Sequence, residues 1–326
     1  MDLSVNIERW PLERPFTISR GSKSEAVVVT VELRQGNHCG RGESVPYARY
    51  GETPDAVAAA IDAMRPALRD GLSRSSLQTA MRPGAARNAL DCAYWDLEAK
   101  QSGRRAYQLV AMPAPKPLVT AFTISLDRPD AMANAAARAA GLPLLKVKLG
   151  GGHEDTERIA AVRRAAPRAE LIVDANEGWS ASDLQRNIAG CVQAGVTLIE
   201  QPLPEGRDAA LAQIARPIPI CADESVHDRA SLDALSGKYD AINIKLDKAG
   251  GLTEALALAI EAEHRGLGIM VGCMVATSLA MAPAILLAQC ARIVDLDGPL
   301  LLARDRPHGL RYEGSTVYPP ESDLWG

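Results

Sequence analysis

Residues 170–202 read ELIVDANEGWSASDLQRNIAGCVQAGVTLIEQP. An apolar run over 170–174 ends in Asp174, an amphipathic stretch over 180–194 begins at the cap residue Ser180, and a second apolar run over 196–200 ends in Glu200. Short runs rich in Val, Ile and Leu, separated by one helix-length amphipathic stretch, are the pattern of two parallel strands joined by a helix. Each strand delivers an acid at the same end.

The same unit repeats on both sides. Chemically loaded residues at Lys148, Asp174, Glu200, Asp223, Lys245, Gly272 and Asp295 are separated by 26, 26, 23, 22, 27 and 23 residues, the length of one strand plus one helix. Candidate strands are 118–124, 144–148, 170–174, 196–200, 218–222, 241–245, 269–273 and 292–296, with helical stretches at 129–140, 154–166, 180–194, 207–215, 228–236 and 252–265. Eight apolar strands alternating with helices predict an α/β fold closed into a barrel. A doubly wound nucleotide fold would place a glycine-rich loop after its first strand, whereas the run Gly150-Gly151-Gly152 follows the second and lacks that motif's spacing.

The first 112 residues follow a different pattern. Segments 3–9 and 26–34, joined through SRGSKSE, and the run CGRGESVP after a turn at Gly36-Asn37 predict three antiparallel strands. Residues 54–69, with Pro54 after Thr53, and 84–100 predict helices. We therefore expect an α+β module over 1–112, a barrel over 113–299, and a Pro- and Gly-rich tail from about 300 to 326 that returns over the first module.

A chain of 326 residues with 47% hydrophobic content can bury a large core, and a net charge of −4 offers no basic field for nucleic acid. No apolar run approaches the roughly 20 residues of a membrane span, so the expectation is a cytoplasmic protein with no membrane or nucleic-acid partner, and a homo-oligomer is compatible. The six cysteines lack metal-ligand or CxxC spacing and read as free thiols, Cys273 included.

The site is expected at the C-terminal ends of the barrel strands. Asp174, Glu200 and Asp223 close or follow strands three, four and five; three clustered carboxylates call for a hard divalent cation, and Mg²⁺ suits an all-oxygen set. Lys146 and Lys148 are two apart on a strand and so face the same side, and Lys245 ends strand six. The order base, acid, acid, acid, base suits removal of a proton next to a carboxylate, with Lys148 and Lys245 acting on opposite faces and Lys146 as a second cation. Racemisation or epimerisation follows. Lys248, past the strand end, is expected in a loop. Asp295 and Asp297, two apart after strand eight, can jointly bind a cationic group.

On KxK at 146–148, VDAN at 173–176, EQP at 200–202, ADES at 222–225 and NIKLDKAGG at 243–251, the chain resembles the enolase superfamily in its muconate-lactonizing-enzyme subgroup. The resemblance implies a (β/α)₇β modified TIM barrel with an α+β capping domain and one Mg²⁺ on Asp174, Glu200 and Asp223. Asn176 and Glu224 would support that metal. The Asp-x-Asp at 295–297 and the segment NIKLDKAGGLTEALALA are similar to the dipeptide epimerases, the L-Ala-D/L-Glu epimerases in particular, where such a pair holds the substrate ammonium. A murein-derived dipeptide is the implied substrate, with Arg20 or, less specifically, Lys23 taking the glutamyl side chain, Thr123 contacting the substrate, and Gly272 admitting it close to the backbone. Ala276-Thr277 lacks the Glu that some dipeptide epimerases carry there.

Overall fold

The computed structural model describes residues 1–150 and 152–326; Gly151 of the glycine run lies outside the described residues. The chain opens with an antiparallel meander of β1 (Asp2–Ile18), β2 (Gly21–Gln35) and β3 (His38–Ser44). The first hairpin is longer than its sequence pattern. Pairing continues past a register break between Pro11 and Phe16 to Ile18↔Gly21, which leaves Ser19-Arg20 as the turn and sets Lys23 opposite Phe16. Alternation fails to reveal this extension because its faces are covered by the barrel mouth and not by a regular core.

The helix Ala85–Ser102 packs across β3. Gly40 and Gly42 permit that approach, since a Cβ on either would lie 2.1 Å from the carbonyl oxygen of Ala93 or Ala89. The single helix expected over 54–69 is two, Pro54–Asp62 and Arg65–Arg69, with Pro66 in the first turn of the second.

Leu118–Val119 (β4) lies outside the barrel, paired with a strand at Thr316–Val317, so the first barrel strand is shorter than expected. The barrel strands are β5 (Phe122–Ile124), β6 (Leu144–Lys148), β7 (Glu170–Asp174), β8 (Val196–Glu200), β9 (Ile220–Ala222), β10 (Ala241–Ile244), β11 (Gly268–Gly272) and β12 (Ile293–Asp295), parallel and in sequential order. The ring closes between its ends through Ala121 N–H to the Val294 carbonyl at 2.8 Å and Leu296 N–H to Thr120 Oγ1 at 2.7 Å. Two crossovers expected as α-helices, at 207–215 and 228–236, are instead 3₁₀ turns over Ala209–Gln213 and Arg229–Leu235.

Ala121, Leu144, Ile172, Leu198, Cys221, Ala241, Met270 and Ile293 form one buried apolar cluster, a single residue from each barrel strand or its lead-in. This layer plugs the barrel. Because strand side chains alternate, the residue two positions further along each strand faces inward again, one layer nearer the C-terminal end. The chain's C-terminus lies against the first module, with Trp325 Nε1–H donating to the Cys92 carbonyl at 2.9 Å and Gly326 N–H to Asp96 at 2.7 Å.

Candidate active site

Two residues beyond the plug, the eight inward positions read Thr123, Lys146, Asp174, Glu200, Asp223, Asn243, Gly272 and Asp295. A further step adds Lys148, Lys245 and Asp297. One apolar ring therefore dictates a polar ring directly above it.

Asp174, Glu200 and Asp223 are buried, with one carboxylate oxygen from each lying within 4.8 Å of the others. Lysines surround them. Lys148 Nζ is 2.6 Å from Asp174, Lys245 Nζ 2.7 Å from Asp223, and Lys146 Nζ 2.7 Å from both Glu200 and Asp295 and 3.3 Å from Asp174. Glu200 Oε2, although close to Lys146, makes no hydrogen bond of good geometry, and Asp295 Oδ1, Glu224 Oε2 and Asn176 Oδ1 are also buried without one. Converging acid oxygens with unfilled valences fit a hard cation in place of the ammonium groups.

Burial opposes the charge on Lys146, but Asp295, Glu200 and Asp174 outweigh it and hold its pKa well above the usual lysine range. Lys245 is raised in the same way, burial being overcome mainly by Asp223. For Asp174, burial acts upward, and Lys148 and Lys146 overcome it to bring the carboxyl down to about 2. Glu200 moves the other way, to about 7, because burial and Asp174 outweigh Lys146. At 2.7 Å from Lys146, which three acids hold cationic, Glu200 pairs as the carboxylate. Burial and Asp295 push Asp297 up to about 7.

One residue differs in placement from expectation. Lys248 is no loop residue: it sits on a single turn, Leu246–Ala249, buried, with Nζ on Asp223 Oδ1 at 2.5 Å and on the Asp223 carbonyl. The turn folds the chain back under the strand end. The missing side chain of Gly272 makes room for a neighbouring amide, because a Cβ there would meet Asn243 at 2.6 and 2.7 Å. Asn243 in turn donates to Glu200 Oε1 at 2.7 Å. Thr123 N–H donates to Asp297 at 2.7 Å and so orients that acid. Asn176 N–H donates to Asp174 at 2.9 Å, and its side-chain amide donates to Glu224 at 3.4 Å.

Asn243 and Gln201 were not singled out from the sequence. Gln201 Oε1 accepts from the N–H groups of Asp223 and Ser225 at 2.8 and 3.1 Å, which pins the end of β9. Asn243 was legible, since it stands two residues before Lys245 on the same face. At Ala276-Thr277, Glu43 of the first module accepts from Thr277 N–H and Oγ1–H at 2.8 and 2.5 Å and pairs with Arg306 at 2.7 Å.

The first module roofs the site. Phe16, Arg20, Lys23, Tyr47 and Tyr50 line a cavity of about 490 Å³ together with Lys148, Lys245, Asp295 and Asp297. Arg20 is bound to Glu224 at 2.7 Å, the Asn176 carbonyl at 3.0 Å, Glu177 at 3.2 Å and the Tyr47 hydroxyl at 3.1 Å. Arg49 makes a bidentate pair with Glu177, both contacts at 2.9 Å. Asn176 and Glu177 carry φ of 44° and 66°, left-handed backbone held in place by these contacts.

Comparison with known proteins agrees with this architecture. Residues 1–111 match the mandelate racemase / muconate lactonizing enzyme N-terminal domain, and residues 130–322 match the enolase C-terminal domain-like family. The chain is 49% identical over 307 residues to an L-Ala-D/L-Glu epimerase of Escherichia coli K12, covering 94% of this chain and 95% of that protein. It is 46% identical over 302 residues to an N-acetyl-D-glutamate racemase of a Pseudoalteromonas species, covering 92% and 95%. A crystal structure of an enolase family member from Agrobacterium tumefaciens, with homology to dipeptide epimerases and with sodium and L-Ala-L-Glu bound, superposes with a TM-score of 0.97 at 55% identity over 99% of both chains.

Proposed function

The chain belongs to the mandelate racemase / muconate lactonizing enzyme family of the enolase superfamily, and from that premise we propose that it is a Mg²⁺-dependent dipeptide epimerase that interconverts L-Ala-D-Glu and L-Ala-L-Glu. One observation carries the reading. In a ring of eight strands, β6 and β10 are four steps apart, so Lys148 and Lys245 stand on opposite walls. β8 and β12 are also four steps apart, so Glu200, the middle acid, stands opposite Asp295. The two axes cross. A substrate lying along the second axis, carboxylate toward β7–β9 and ammonium toward β12, presents the two faces of its α-carbon to the two lysines.

Asp174, Glu200 and Asp223 would hold the cation. When bound it offsets the negative charge that grows on the substrate carboxylate as the α-proton leaves. Lys148 and Lys245 exchange that proton on opposite faces, and Lys146, beneath both axes, adds a fixed positive charge. With the carboxylates committed to the cation, burial acts on Lys245 with less opposition and favours its neutral form. Asp297, with Asp295, anchors the ammonium; Asn176 and Glu224 brace the acid cluster, and the first module, residues 1–112 with the tail from about 300, excludes water from the barrel over 113–299.

Both high-identity relatives act on a glutamate acylated at nitrogen, and they differ in whether a free ammonium follows. The acid pair at 295 and 297 favours the dipeptide. L-Ala-Glu dipeptides derive from murein, so we place the enzyme in cell-wall peptide recycling in the cytoplasm; no helix among the described residues is long and apolar enough to cross a membrane.

The test is incubation of Xaa-Glu dipeptides with Mg²⁺ in D₂O, read by mass spectrometry. We expect one deuterium at the α-carbon of Glu, with Lys148→Ala and Lys245→Ala each abolishing epimerisation while retaining exchange from opposite epimers. Absence of deuterium from every Xaa-Glu dipeptide refutes the assignment.

A further inference from the structure

We propose that Gln201 takes the place of the sheet ladder in fixing Asp223, and that a remote acid, Asp208, holds Gln201 in that role; both are positioning residues for the cation. The inference rests on the Mg²⁺ reading above and extends it to residues outside the polar ring.

The three acids are not held alike. Asp174 lies inside β7, paired with Lys148 on one side and Glu200 on the other, and Glu200 lies inside β8. β9 ends at Ala222, and its register with both neighbours stops at Cys221 and Ala222, so Asp223 stands past the ladder. Its N–H donates instead to Gln201 Oε1 at 2.8 Å, and the same oxygen takes the Ser225 N–H at 3.1 Å. One side-chain amide thus stands where the carbonyl of a neighbouring strand would.

The amide can act in this way only while its oxygen faces the end of β9. Its NH₂ end secures that orientation. Gln201 Nε2 donates to the Leu203 carbonyl at 2.8 Å, to Ser225 Oγ at 2.9 Å and to the Tyr239 hydroxyl at 3.0 Å. A hydroxyl oxygen accepts well from an amide only when its own proton points elsewhere, and here the protons run to Asp208. Tyr239 donates to Asp208 Oδ2 at 2.7 Å. Ser225 donates either to that oxygen at 3.2 Å or to the Tyr239 oxygen at 3.0 Å, and both routes end on Asp208.

Asp208 is suited to this task. Burial acts upward on its carboxyl, but Lys238, at 2.7 Å, and Tyr239 overcome it and hold the group below the usual carboxylate range, so it only accepts. Burial raises the Tyr239 phenol, which therefore keeps its proton. Among the described residues the Asp208 side chain bonds only to Ser225, Lys238 and Tyr239, and it touches no member of the polar ring. The backbone at Gln201 is left-handed, with φ of 33°, a setting that the bonds around its side chain hold in place.

The experiment measures Mg²⁺ affinity by calorimetry, with Tm alongside, for wild type, Gln201→Met, Asp208→Ala, Asp208→Asn and the double variant Gln201→Met/Asp208→Ala. Loss of the support should weaken Mg²⁺ binding roughly ten- to a hundredfold in Gln201→Met and about tenfold in Asp208→Ala. Asp208→Asn keeps an acceptor oxygen for the hydroxyls and should recover most of the affinity. In the Gln201→Met background, Asp208→Ala should lower Tm again yet leave Mg²⁺ affinity where Gln201→Met put it. Should Gln201→Met fail to fold, Ser225→Ala/Tyr239→Phe, which removes both intervening hydroxyls, takes its place in the cycle. Unchanged Mg²⁺ affinity in Asp208→Ala, whatever its Tm, or the same fall in both backgrounds overturns the proposal and leaves the Mg²⁺ reading intact. A wild type that binds no Mg²⁺ overturns both.

Discussion

Replacing Gly272 by alanine tests whether the acid cluster is held from the side as well as by the cation. The added Cβ would fall 2.6 Å from Asn243 Oδ1, 2.7 Å from Nδ2 and 3.1 Å from Cγ, so the amide must rotate away. The backbone at 272 is not in the left-handed region, so no conformational strain adds to this. What rotation forfeits is the 2.7 Å hydrogen bond to Glu200, which is fully buried. A hydrogen bond to a buried charge is worth about 1.5–3 kcal/mol, and loss of such outer support weakens metal affinity roughly ten- to a hundredfold. Asn243→Ala should lose a similar amount by removing the donor outright, yet it also empties the space that a methyl group at position 272 would need. Gly272→Ala in the Asn243→Ala background should therefore have almost no further effect, giving a coupling of about 1.5–3 kcal/mol. Mg²⁺ titration of all four proteins, followed by calorimetry and by turnover, measures it. Additive losses, or normal Mg²⁺ affinity in Gly272→Ala, would show that Asn243 does not transmit the effect.

Four further outcomes follow. Asp297→Asn should lower kcat/KM for L-Ala-L-Glu roughly ten- to a hundredfold and change N-acetylglutamate turnover much less; Asp297 is the cleaner probe because Asp295 also holds Lys146 at 2.7 Å. Since Asp297 is raised to about 7 and must be ionised to hold an ammonium, wild-type kcat/KM should fall as pH drops through 7, and Asp297→Asn should flatten that limb. Asp247, partly buried, accepts from Val45 N–H at 2.9 Å and Asn88 at 2.8 Å, and desolvation raises it to about 7. A carboxyl raised in the fold favours folding most below its unfolded pKa, and that contribution fades as pH rises through 7. Asp247→Asn keeps the acceptor without the charge, so it should raise Tm at pH 8, where the desolvated charge costs on the order of 1–4 kcal/mol, with the gain vanishing near pH 4. Chelation of Mg²⁺ should abolish turnover yet lower Tm by only a few degrees, because Lys146, Lys148, Lys245 and Lys248 already neutralise the acids; a collapse of far-UV ellipticity on chelation would contradict this.

What could be read from sequence was what one strand's own alternation determines. Lys146 above Leu144, Asp174 above Ile172 and Glu200 above Leu198 are each legible within five residues, because side chains two apart share a face. Lateral relations were not legible. Gly272 and Asn243 belong to neighbouring strands, β11 and β10, and nothing within either segment states that the missing side chain of one makes room for the amide of the other. Lys248 was misplaced for a similar reason: the turn after Lys245 lasts only four residues, too few for periodicity to register, yet it returns the ammonium to Asp223. The hairpin was underestimated because Glu13 to Lys23 cover a cavity, and a surface over a cavity has no apolar alternation to show.

The charges of the site also determine the order in which it becomes competent. Lys245 keeps its proton because Asp223 lies 2.7 Å away, and Asp223 keeps its charge because Lys245 and Lys248 both face it against the effect of burial. A lysine so held cannot accept a proton. Committing Asp223 to a divalent cation weakens the attraction on Lys245, while Lys248, bonded also to the Asp223 and Asn243 carbonyls, keeps the carboxylate in place. Two lysines near one acid would otherwise be redundant; in the proposed mechanism Lys248 would hold Asp223 in position and Lys245 would be released for chemistry. Buried ion pairs are poor stabilisers compared with apolar packing, and this cluster makes sense as a set of interchangeable partners for acids that must remain charged whether or not the cation is bound.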